Sequence, residues 1–334
     1  MRFGLLGHCA PKETHVYSSA FVCIEIRYEL RIVGFRFIFN GDHGGGRSSM
    51  ERSIGKLSTV VIVICVVGLI GAVDVFAAKK RGKSKYKTVD VSNGATLSGA
   101  VTLKGKAPAP KTFPIGNFPQ GEFCSGVDTK DGTRILRDVS VGKGNALQDV
   151  VVVIKGIKEG KARVLKKTHV DMDVCKFLVA GGSSTFVGVV SPTVDFTVTN
   201  KDEAPDPKSG KVIGVLHNPH SFGIAPKKNP STMFNLGMPE KGQTLSFKKD
   251  MKKIRRAPVM KLQCDQHEYM QAWFRSVRHP YYALVGADGT FSIDQIPAGK
   301  YKVIAWHPIL GEQTQEMTFG AGAKESVKFE FAGK

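Results

Sequence analysis

The sequence is poor in acidic residues, and from residue 95 onward it lacks any long stretch of helical periodicity. It contains 29 Asp and Glu against 48 Lys and Arg, a formal net charge of +19. Such a charge would suggest nucleic acid binding, but zinc-finger spacing, an RNP-like motif and a basic helix are all missing. The apolar fraction of 42% is that of a globular protein, which argues against a disordered chain. The charge therefore favours acidic partners over nucleic acid.

Residues 50–77 have the three-part layout of an export signal. A short segment containing Arg52 and Lys56 precedes an apolar run at 57–73, and small residues follow at the end. We expect cleavage after Ala77, with an uncleaved membrane anchor through 57–73 as the alternative. Both readings predict a periplasmic or otherwise extracytoplasmic protein. We interpret residues 1–49 as an over-extended start or a disordered extension.

The chain from residue 95 onward reads as short strands separated by Gly, Pro, Ser and Asn. Residues 147–154 form an apolar run typical of a strand buried on both faces, and 185–190 and 194–199 follow as further strands. Residues 114–144 look like loop. This pattern predicts an all-β fold built from sandwiches, which a basic linker at 78–94 joins to the export signal.

Only three cysteines follow the export signal, and three is an odd number. They are Cys124, Cys175 and Cys264. Thiols outside the cytoplasm tend to pair, so the remaining one needs a reason to stay reduced, and metal ligation supplies it. We expect a Cys124–Cys175 disulfide and a Cys264 thiolate ligand, although the sequence alone does not fix the connectivity.

Cys264 is the first of three potential metal ligands set at intervals of three, followed by His267 and Met270. A thiolate with an imidazole suits several metals, but a thioether is a poor zinc ligand and a good copper ligand. Blue-copper sites combine two His and one Cys with a weak axial Met, so one His must come from elsewhere. His217 and His220 are the two candidates.

Several other redox and catalytic sites are excluded by what this motif lacks. It has a single Cys, whereas a dithiol site or a dinuclear copper centre would need two. Multicopper oxidases need His-x-His pairs, which are absent, and no Ser/His/Asp arrangement is readable. We interpret His279 and His307 as hydrogen-bonded sandwich residues, and Trp273, Tyr281 and Tyr282 as core.

The order His-Asn-Pro-His followed by Cys-x-x-His-x-x-Met resembles the cupredoxin family, and the second spacing resembles that of amicyanins. The resemblance implies a Greek-key sandwich over residues 166–277 that binds one copper ion. It implies four ligands, which are His217, Cys264, His267 and Met270. It also implies that Asn218 tethers the two ligand loops.

The identity of the first ligand stays open because of an insert. In simple cupredoxins an Asn-x-Asp turn runs almost directly into the first His, whereas Asn200 and His217 are separated by a segment containing Pro205 and Pro207. This leaves His220 as a rival. The His217-Asn pair matches the family and His220 does not.

The two ends of the exported chain resemble a second type of sandwich. Residues 288–306 are similar to the end of a carboxypeptidase-regulatory-like, or transthyretin-like, domain, and 97–108 to the start of one. The resemblance implies a second Ig/transthyretin-like sandwich over 95–165 and 278–334. The copper domain would be inserted in it or would share a surface with it.

Together these features predict an exported mononuclear blue-copper electron carrier rather than an enzyme. Basic runs at 79–87 and 248–256 are solvated faces or docking patches. The second would steer the protein to an acidic redox partner such as a cytochrome, and an anionic membrane or surface polymer also suits the charge. The alternative is a cell-envelope binding or structural protein with a vestigial or stabilising copper site.

Overall fold

A computed structural model describes residues 86–182 and 186–333 of the chain, all within the unit Lys79–Lys334. The predictions for residues 1–49, for the export signal and for the start of the basic linker lie outside the described residues. No helix in the described ranges is both long enough and apolar enough to cross a membrane.

The described residues are mostly strand and loop, so the prediction of an all-β protein is confirmed. The strands before residue 183 are β1 (Lys87–Thr88), β2 (Ala95–Lys104), β3 (Lys111–Pro114), β4 (Thr129–Lys130), β5 (Thr133–Leu136), β6 (Val151–Lys155), β7 (Glu159–Gly160), β8 (Thr168–Met172) and β9 (Phe177–Val179). The strands after residue 185 are β10 (Val187–Val190), β11 (Phe196–Asn200), β12 (Glu203–Pro205), β13 (Val212–Gly214), β14 (Pro219–Ile224), β15 (Ser231–Asn235), β16 (Thr244–Ser246), β17 (Val259–Cys264), β18 (Gln271–Ser276), β19 (Tyr282–Leu284), β20 (Thr290–Ile296), β21 (Gly299–His307), β22 (Gly311–Phe319) and β23 (Lys324–Ala332). The helical segments are α1 (Gly121–Cys124) and 3₁₀ turns at Ile115–Asn117, Lys143–Asn145 and Asp250–Arg256.

The first sandwich carries the predicted metal ligands. Its two sheets have the strand orders β10-β18-β17-β14-β15 and β16-β11-β8-β9. Apolar side chains from both sheets fill the space between them, among them Phe177, Phe196, Met260, Leu262 and Phe274. The alternation of side chains along each strand explains this packing. In β17, positions after the first two residues are alternately partly exposed and buried, so one face of the strand joins the core.

The second sandwich is built from the two ends of the described chain. Its sheets have the orders β19-β6-β21-β22 and β20-β2-β23, with β2 and β23 parallel over nine residue pairs. The core between the sheets includes Leu97, Ile154, Val303, Phe319 and Phe329. These strands come from the two segments, 95–165 and 278–334, that resemble a second sandwich in sequence.

A third apolar cluster joins the two sandwiches. It combines Val151 and Trp306 of the second sandwich with Val187 and Val259 of the first. The first sandwich is thus inserted in the sequence of the second, and the two also share a packed surface.

Residues 111–136, which we name the cover segment, pack on the first sandwich. Pairing of β3 with β5 and of β5 with β4 makes a small sheet, and α1 lies in the connection. Ile115 and Cys124 of this segment belong to the core of the first sandwich. The segment thus contains more regular structure than the loop that the sequence suggested.

Candidate metal centre

Strand pairing brings the two ligand loops together. In the antiparallel pair β14–β17, Pro219 lies opposite Cys264, so His217 stands just before β14 and beside the end of β17. The Asn218 N–H points to Cys264 Sγ at 3.3 Å, and the Asp265 N–H donates to the Asn218 carbonyl at 3.1 Å. Asn218 therefore joins the loops through its backbone, while its buried Oδ1 has no hydrogen-bond partner among the described residues.

Three predicted ligands converge on one point. His217 Nδ1 lies 3.9 Å and His267 Nδ1 3.7 Å from Cys264 Sγ, and all three residues are 0% exposed. Ligand atoms placed in a plane about 2.1 Å from a common centre stand roughly 3.6 Å apart. The two separations from Sγ are therefore close to those that one metal ion can bridge, and the ligand atoms of all three residues lie within 4.8 Å of one another.

Met270 closes the ligand turn. Its N–H donates to the His267 carbonyl at 2.8 Å, and its carbonyl accepts from the Cys264 N–H at 3.1 Å. The Met270 side chain is buried in the same core cluster as Cys264. Sequence reasoning missed a second buried thioether, Met238, whose backbone pairs with His217 in both directions. Both ligand loops therefore have a buried thioether hydrogen-bonded through its backbone to a histidine, Met270 to His267 and Met238 to His217.

A carboxylate fixes the orientation of the His217 ring. Asp202 is buried, and its Oδ2 accepts a hydrogen bond from His217 Nε2 at 2.7 Å. Because the proton resides on Nε2, the lone pair of Nδ1 is left facing Cys264. Asn200 supports this arrangement by accepting from the Asp202 N–H at 3.0 Å and donating to the Met238 carbonyl at 3.0 Å.

The insert that obscured this relationship in the sequence is a hairpin. Strands β12 and β13 pair and return the chain to Val215, whose N–H donates to the Asp202 carbonyl at 3.1 Å. Asn200 and Asp202 therefore lie close to His217 despite the intervening residues. The Asn-x-Asp pattern was the available signal for both residues, but sequence reasoning assigned no role to Asp202.

The Asp202 carboxylate also binds the loop that holds one half of the disulfide. It accepts from the Val174 N–H at 2.7 Å and from the Cys175 N–H at 2.9 Å. Both residues have positive φ, 46° and 54°, a conformation that costs about 1 kcal/mol or more for a β-branched side chain such as valine. These two hydrogen bonds to a carboxylate offset that strain.

The second imidazole is held by a backbone carbonyl of the cover segment. His267 Nε2 donates to the Pro119 carbonyl at 3.0 Å, which again leaves Nδ1 facing Cys264. Phe118 packs edge-on against Tyr269 with ring centroids 4.9 Å apart. His267 is buried because the cover segment lies over it.

A disulfide and one arginine fasten the cover segment. Cys124 and Cys175 are bonded, as the cysteine count suggested, and Cys124 Sγ lies 3.8 Å from His267 Nε2. Arg134 is buried and donates to the carbonyls of Cys124 at 2.7 Å and Cys175 at 2.8 Å. Its guanidinium also lies over the Tyr269 ring, 4.9 Å from the centroid. The cover is thus joined to both the disulfide loop and the ligand turn.

The site favours a thiolate even without a metal. Burial would raise the pKa of the Cys264 thiol, but the two imidazoles and the Asn218 N–H outweigh burial and lower the pKa to about 6. Burial likewise opposes charge on His217, yet its hydrogen bonds to Asp202 and Cys264 prevail and raise its pKa. Cys264 is the free cysteine of the described residues, and it is held ready for ligation.

His220 lies outside this cluster of donor atoms. Its Nδ1 is 3.0 Å from the Asp265 carboxylate and its Nε2 is 3.0 Å from the Thr232 hydroxyl. Its ring packs at a tilt of 31° against the Phe222 ring, with centroids 3.9 Å apart. The groups of potential donors found among the described residues include His217 and not His220.

Comparisons with known proteins give little guidance. No family model matches the chain, and no curated protein does. Among solved structures it is similar to a copper-containing nitrite reductase from Thermus scotoductus SA-01, with 16% identity and a TM-score of 0.22 over 35% of this chain. The match spans about a quarter (24%) of that enzyme's chain. A reduced Cu(I) form of an amicyanin variant at pH 4 matches with 15% identity and a TM-score of 0.21, over 38% of this chain and 98% of the other. Similarity at this level carries no argument, so the site is judged by its own geometry.

Proposed function

We propose that the protein is an exported mononuclear copper protein of the cupredoxin type that transfers one electron at a time. The observation that carries this proposal is the placement of His217 Nδ1 and His267 Nδ1 beside Cys264 Sγ. The other nitrogen of each ring is already engaged, so both rings present the lone pair that a metal needs.

The donor set fits copper better than zinc. Structural zinc sites take four Cys or His ligands, whereas the described residues bring one free thiol and two imidazoles together, and the ligand turn adds the buried Met270. A trigonal set of two His and one Cys with an axial Met is the blue-copper arrangement. Met270 would supply the fourth, weaker ligand, because it lies in the same turn as Cys264 and His267.

The residues around the donors suit electron transfer. Bound copper supplies reversible one-electron chemistry between Cu(II) and Cu(I). Asp202 and the Pro119 carbonyl hold the two rings, so the donors keep their positions when the charge of the site changes. The Asn218 N–H contacts the sulfur, and burial keeps the site dry, both of which tune the potential.

Addition of Cu(II) to the metal-free protein tests the proposal. One copper ion per chain and an intense blue thiolate-to-copper band are expected, with Cys264→Ser as the control that loses the band. A protein that stays colourless and takes up no copper would overturn the proposal. Reversible reduction and reoxidation of the band then establishes an electron carrier.

One observation favours a second function. Structural metal sites are closed, and the cover segment closes this one over His267. In that case the protein is a cell-envelope binding or structural protein that copper stabilises. Two measurements distinguish these functions. An ion that only stabilises the protein raises its unfolding temperature but shows no reversible electrochemistry at any accessible potential. The copper of an electron carrier raises the unfolding temperature and is also reduced and reoxidised reversibly.

For an electron carrier we further propose a periplasmic or other extracytoplasmic location and an acidic redox partner. The formal net charge of +19 supports an acidic partner, whose association should weaken as ionic strength rises. An association whose affinity does not change with salt would mean that charge has no part in recognition of the partner.

A further inference from the structure

The basic run near residue 250 does not lie at the metal site. It forms the 3₁₀ turn Asp250–Arg256 and leads into β17 at Val259, whereas Cys264 ends that strand. With about 3.3 Å per residue, the two ends are separated by roughly 17 Å. The register of β17 with β18 agrees, because Val259 pairs with Arg275 and Gln263 with Gln271. The basic run therefore occupies the end of the sandwich opposite the metal ligands.

A cleft of about 370 Å³ lies beside this end of the strands, where the first sandwich meets the second. Its charged residues come from three places: the end of the 3₁₀ turn, the end and exit of β18, and the end of β6, while Ile304 of β21 adds an apolar wall. They supply five cationic side chains, which are Lys155, Arg255, Arg256, Arg275 and Arg278. No carboxylate is among the lining residues. Junctions between domains are common places for ligand sites.

Most of this charge is uncompensated. Arg275 pairs with Glu312 and lies over the Trp306 ring. Lys155, Arg255, Arg256 and Arg278 form no ion pair with any of the described residues, and all four are exposed. The Arg278 guanidinium donates to the Arg255 carbonyl at 2.7 Å, which brings the two residues together in spite of their like charge. An anion in the cleft would relieve this repulsion.

The cleft also contains a neutral donor without a partner. Ser276 lines it, and the buried Ser276 Oγ has no hydrogen-bond partner among the described residues. Arg255 and Arg256 also line a second cleft together with Lys228, Lys252 and Lys253, again without a carboxylate among the lining residues. The two arginines therefore belong to two basic clefts.

We propose that this cleft, which we name the arginine cleft, binds a ligand that carries several phosphate groups. Guanidinium groups bind phosphate with two parallel hydrogen bonds, and a cluster of them suits a multivalent anion better than a single charge. The site is independent of the metal centre, so it gives the protein a second ligand whether or not copper binds.

Inorganic tripolyphosphate is the probe, used with the full chain and titrated by calorimetry at two salt concentrations. We expect saturable binding that weakens with salt. Arg255→Gln/Arg256→Gln should raise the Kd about tenfold or more, because it removes two guanidinium groups and their paired, charge-assisted hydrogen bonds to phosphate. Lys248→Gln/Lys249→Gln removes the same charge from neighbouring exposed positions and should change the Kd little.

Three outcomes would overturn the proposal. They are no binding of tripolyphosphate, an equal loss of tripolyphosphate affinity in both double variants, or a cleft that binds an acidic protein and no oligophosphate. The equal loss would mean diffuse attraction rather than a site. Arg255→Lys/Arg256→Lys keeps the charge but loses the paired hydrogen bonds, so it should bind with intermediate affinity. Circular dichroism of every variant separates lost binding from lost folding, and copper uptake is scored separately.

The source of the phosphate groups is distinguished with vesicles. Phosphatidylcholine vesicles containing phosphatidylglycerol are sedimented with the protein, with and without tripolyphosphate. Binding that tripolyphosphate displaces, and that fails in Arg255→Gln/Arg256→Gln, identifies lipid headgroups as a source. Binding of tripolyphosphate without vesicle binding identifies a free oligophosphate.

Discussion

Asp202 and His217 form a buried pair, with the carboxylate Oδ2 2.7 Å from the imidazole Nε2. A hairpin of β12 and β13 separates them in sequence. Through the same carboxylate, His217 is linked to Val174 and Cys175, and so to the disulfide. The orientation of one metal ligand therefore depends on a contact between three separate segments of the chain.

Asp202→Asn should weaken copper binding about 10- to 100-fold, because an amide neither fixes the imidazole proton on Nε2 nor compensates charge on the ring. Competition with a chelator of known affinity measures the effect. Asp206→Asn, in the exposed hairpin, is the control and should bind copper as the wild type does. Equal affinities for both variants would mean that the Asp202 contact has no part in ligation.

His217→Ala should abolish the blue band, whereas His220→Ala should leave it in place. His217 supplies one of the three convergent donors, while His220 contacts Asp265 and Thr232 instead. The measurement is the absorption spectrum after addition of one equivalent of Cu(II). A lost band in His220→Ala with a retained band in His217→Ala would reverse the assignment of the first ligand.

Met270→Leu should still take up copper but with a higher reduction potential, because loss of a donor disfavours Cu(II) more than Cu(I). A Met-to-Leu change conserves volume and should cost less than about 1.5 kcal/mol of stability. Met238→Leu, at the other buried thioether, is the matched control and should leave the potential unchanged. Should the potential move only in Met238→Leu, Met238 rather than Met270 would be the thioether ligand.

Cys124→Ser/Cys175→Ser should destabilise the protein and open the cover. A sequence separation of 51 residues predicts a loss of about 4 kcal/mol from loop entropy. Release of copper to a chelator should also become faster, since His267 is shielded by the segment that the disulfide fastens. Chemical denaturation and stopped-flow chelation measure the two effects. Lys130→Ala, an exposed change in the cover segment, should alter neither.

His307→Asn should make the stability of the metal-free protein less dependent on pH. Burial lowers the pKa of His307 to about 4, and its Nδ1 accepts from the Ile309 and Leu310 N–H groups, so the folded state keeps the ring neutral. The unfolded ring has a pKa near 6.5 and takes up a proton more readily. The contribution of His307 to the free energy of unfolding should therefore be fully present above about pH 6.5. It should fall by roughly 3 kcal/mol as the pH is lowered to 4.

The asparagine oxygen in His307→Asn can still accept the two N–H groups but does not titrate. Denaturation at pH 7 and pH 4 should show a smaller loss for the variant than for the wild type. Burial also lowers the pKa of His279 to about 4, so His279 contributes to the pH dependence of stability in both the variant and the wild type. Equal losses in variant and wild type would mean that His307 is not the group that titrates.

The all-β fold and the set of converging ligands could be predicted because their signals are local. Alternating apolar residues mark strands, and the intervals between Cys264, His267 and Met270 lie within one turn. The position of His217 needed a family resemblance, since no local rule connects it with Cys264. The pairing of Pro219 with Cys264 in the sheet makes that connection.

The features that escaped prediction depend on contacts between distant segments. The group that Pro119 offers to His267 is a backbone carbonyl, which every residue has, so no side-chain pattern could reveal it. The basic run at 248–256 precedes Cys264 closely in sequence, and we interpreted it as a face that steers the protein to an acidic redox partner. Strand β17 carries the chain across the sandwich between the two, so nearness in sequence does not place the basic turn at the metal ligands.

The disulfide between Cys124 and Cys175 also couples the oxidation state of two thiols to the exchange of metal. The bond joins the segment that lies over His267 to the loop that Asp202 holds. Oxidation of the pair should therefore slow both uptake and release of a metal ion without changing the ligands, so that a reducing environment would load or empty the site faster than an oxidising one.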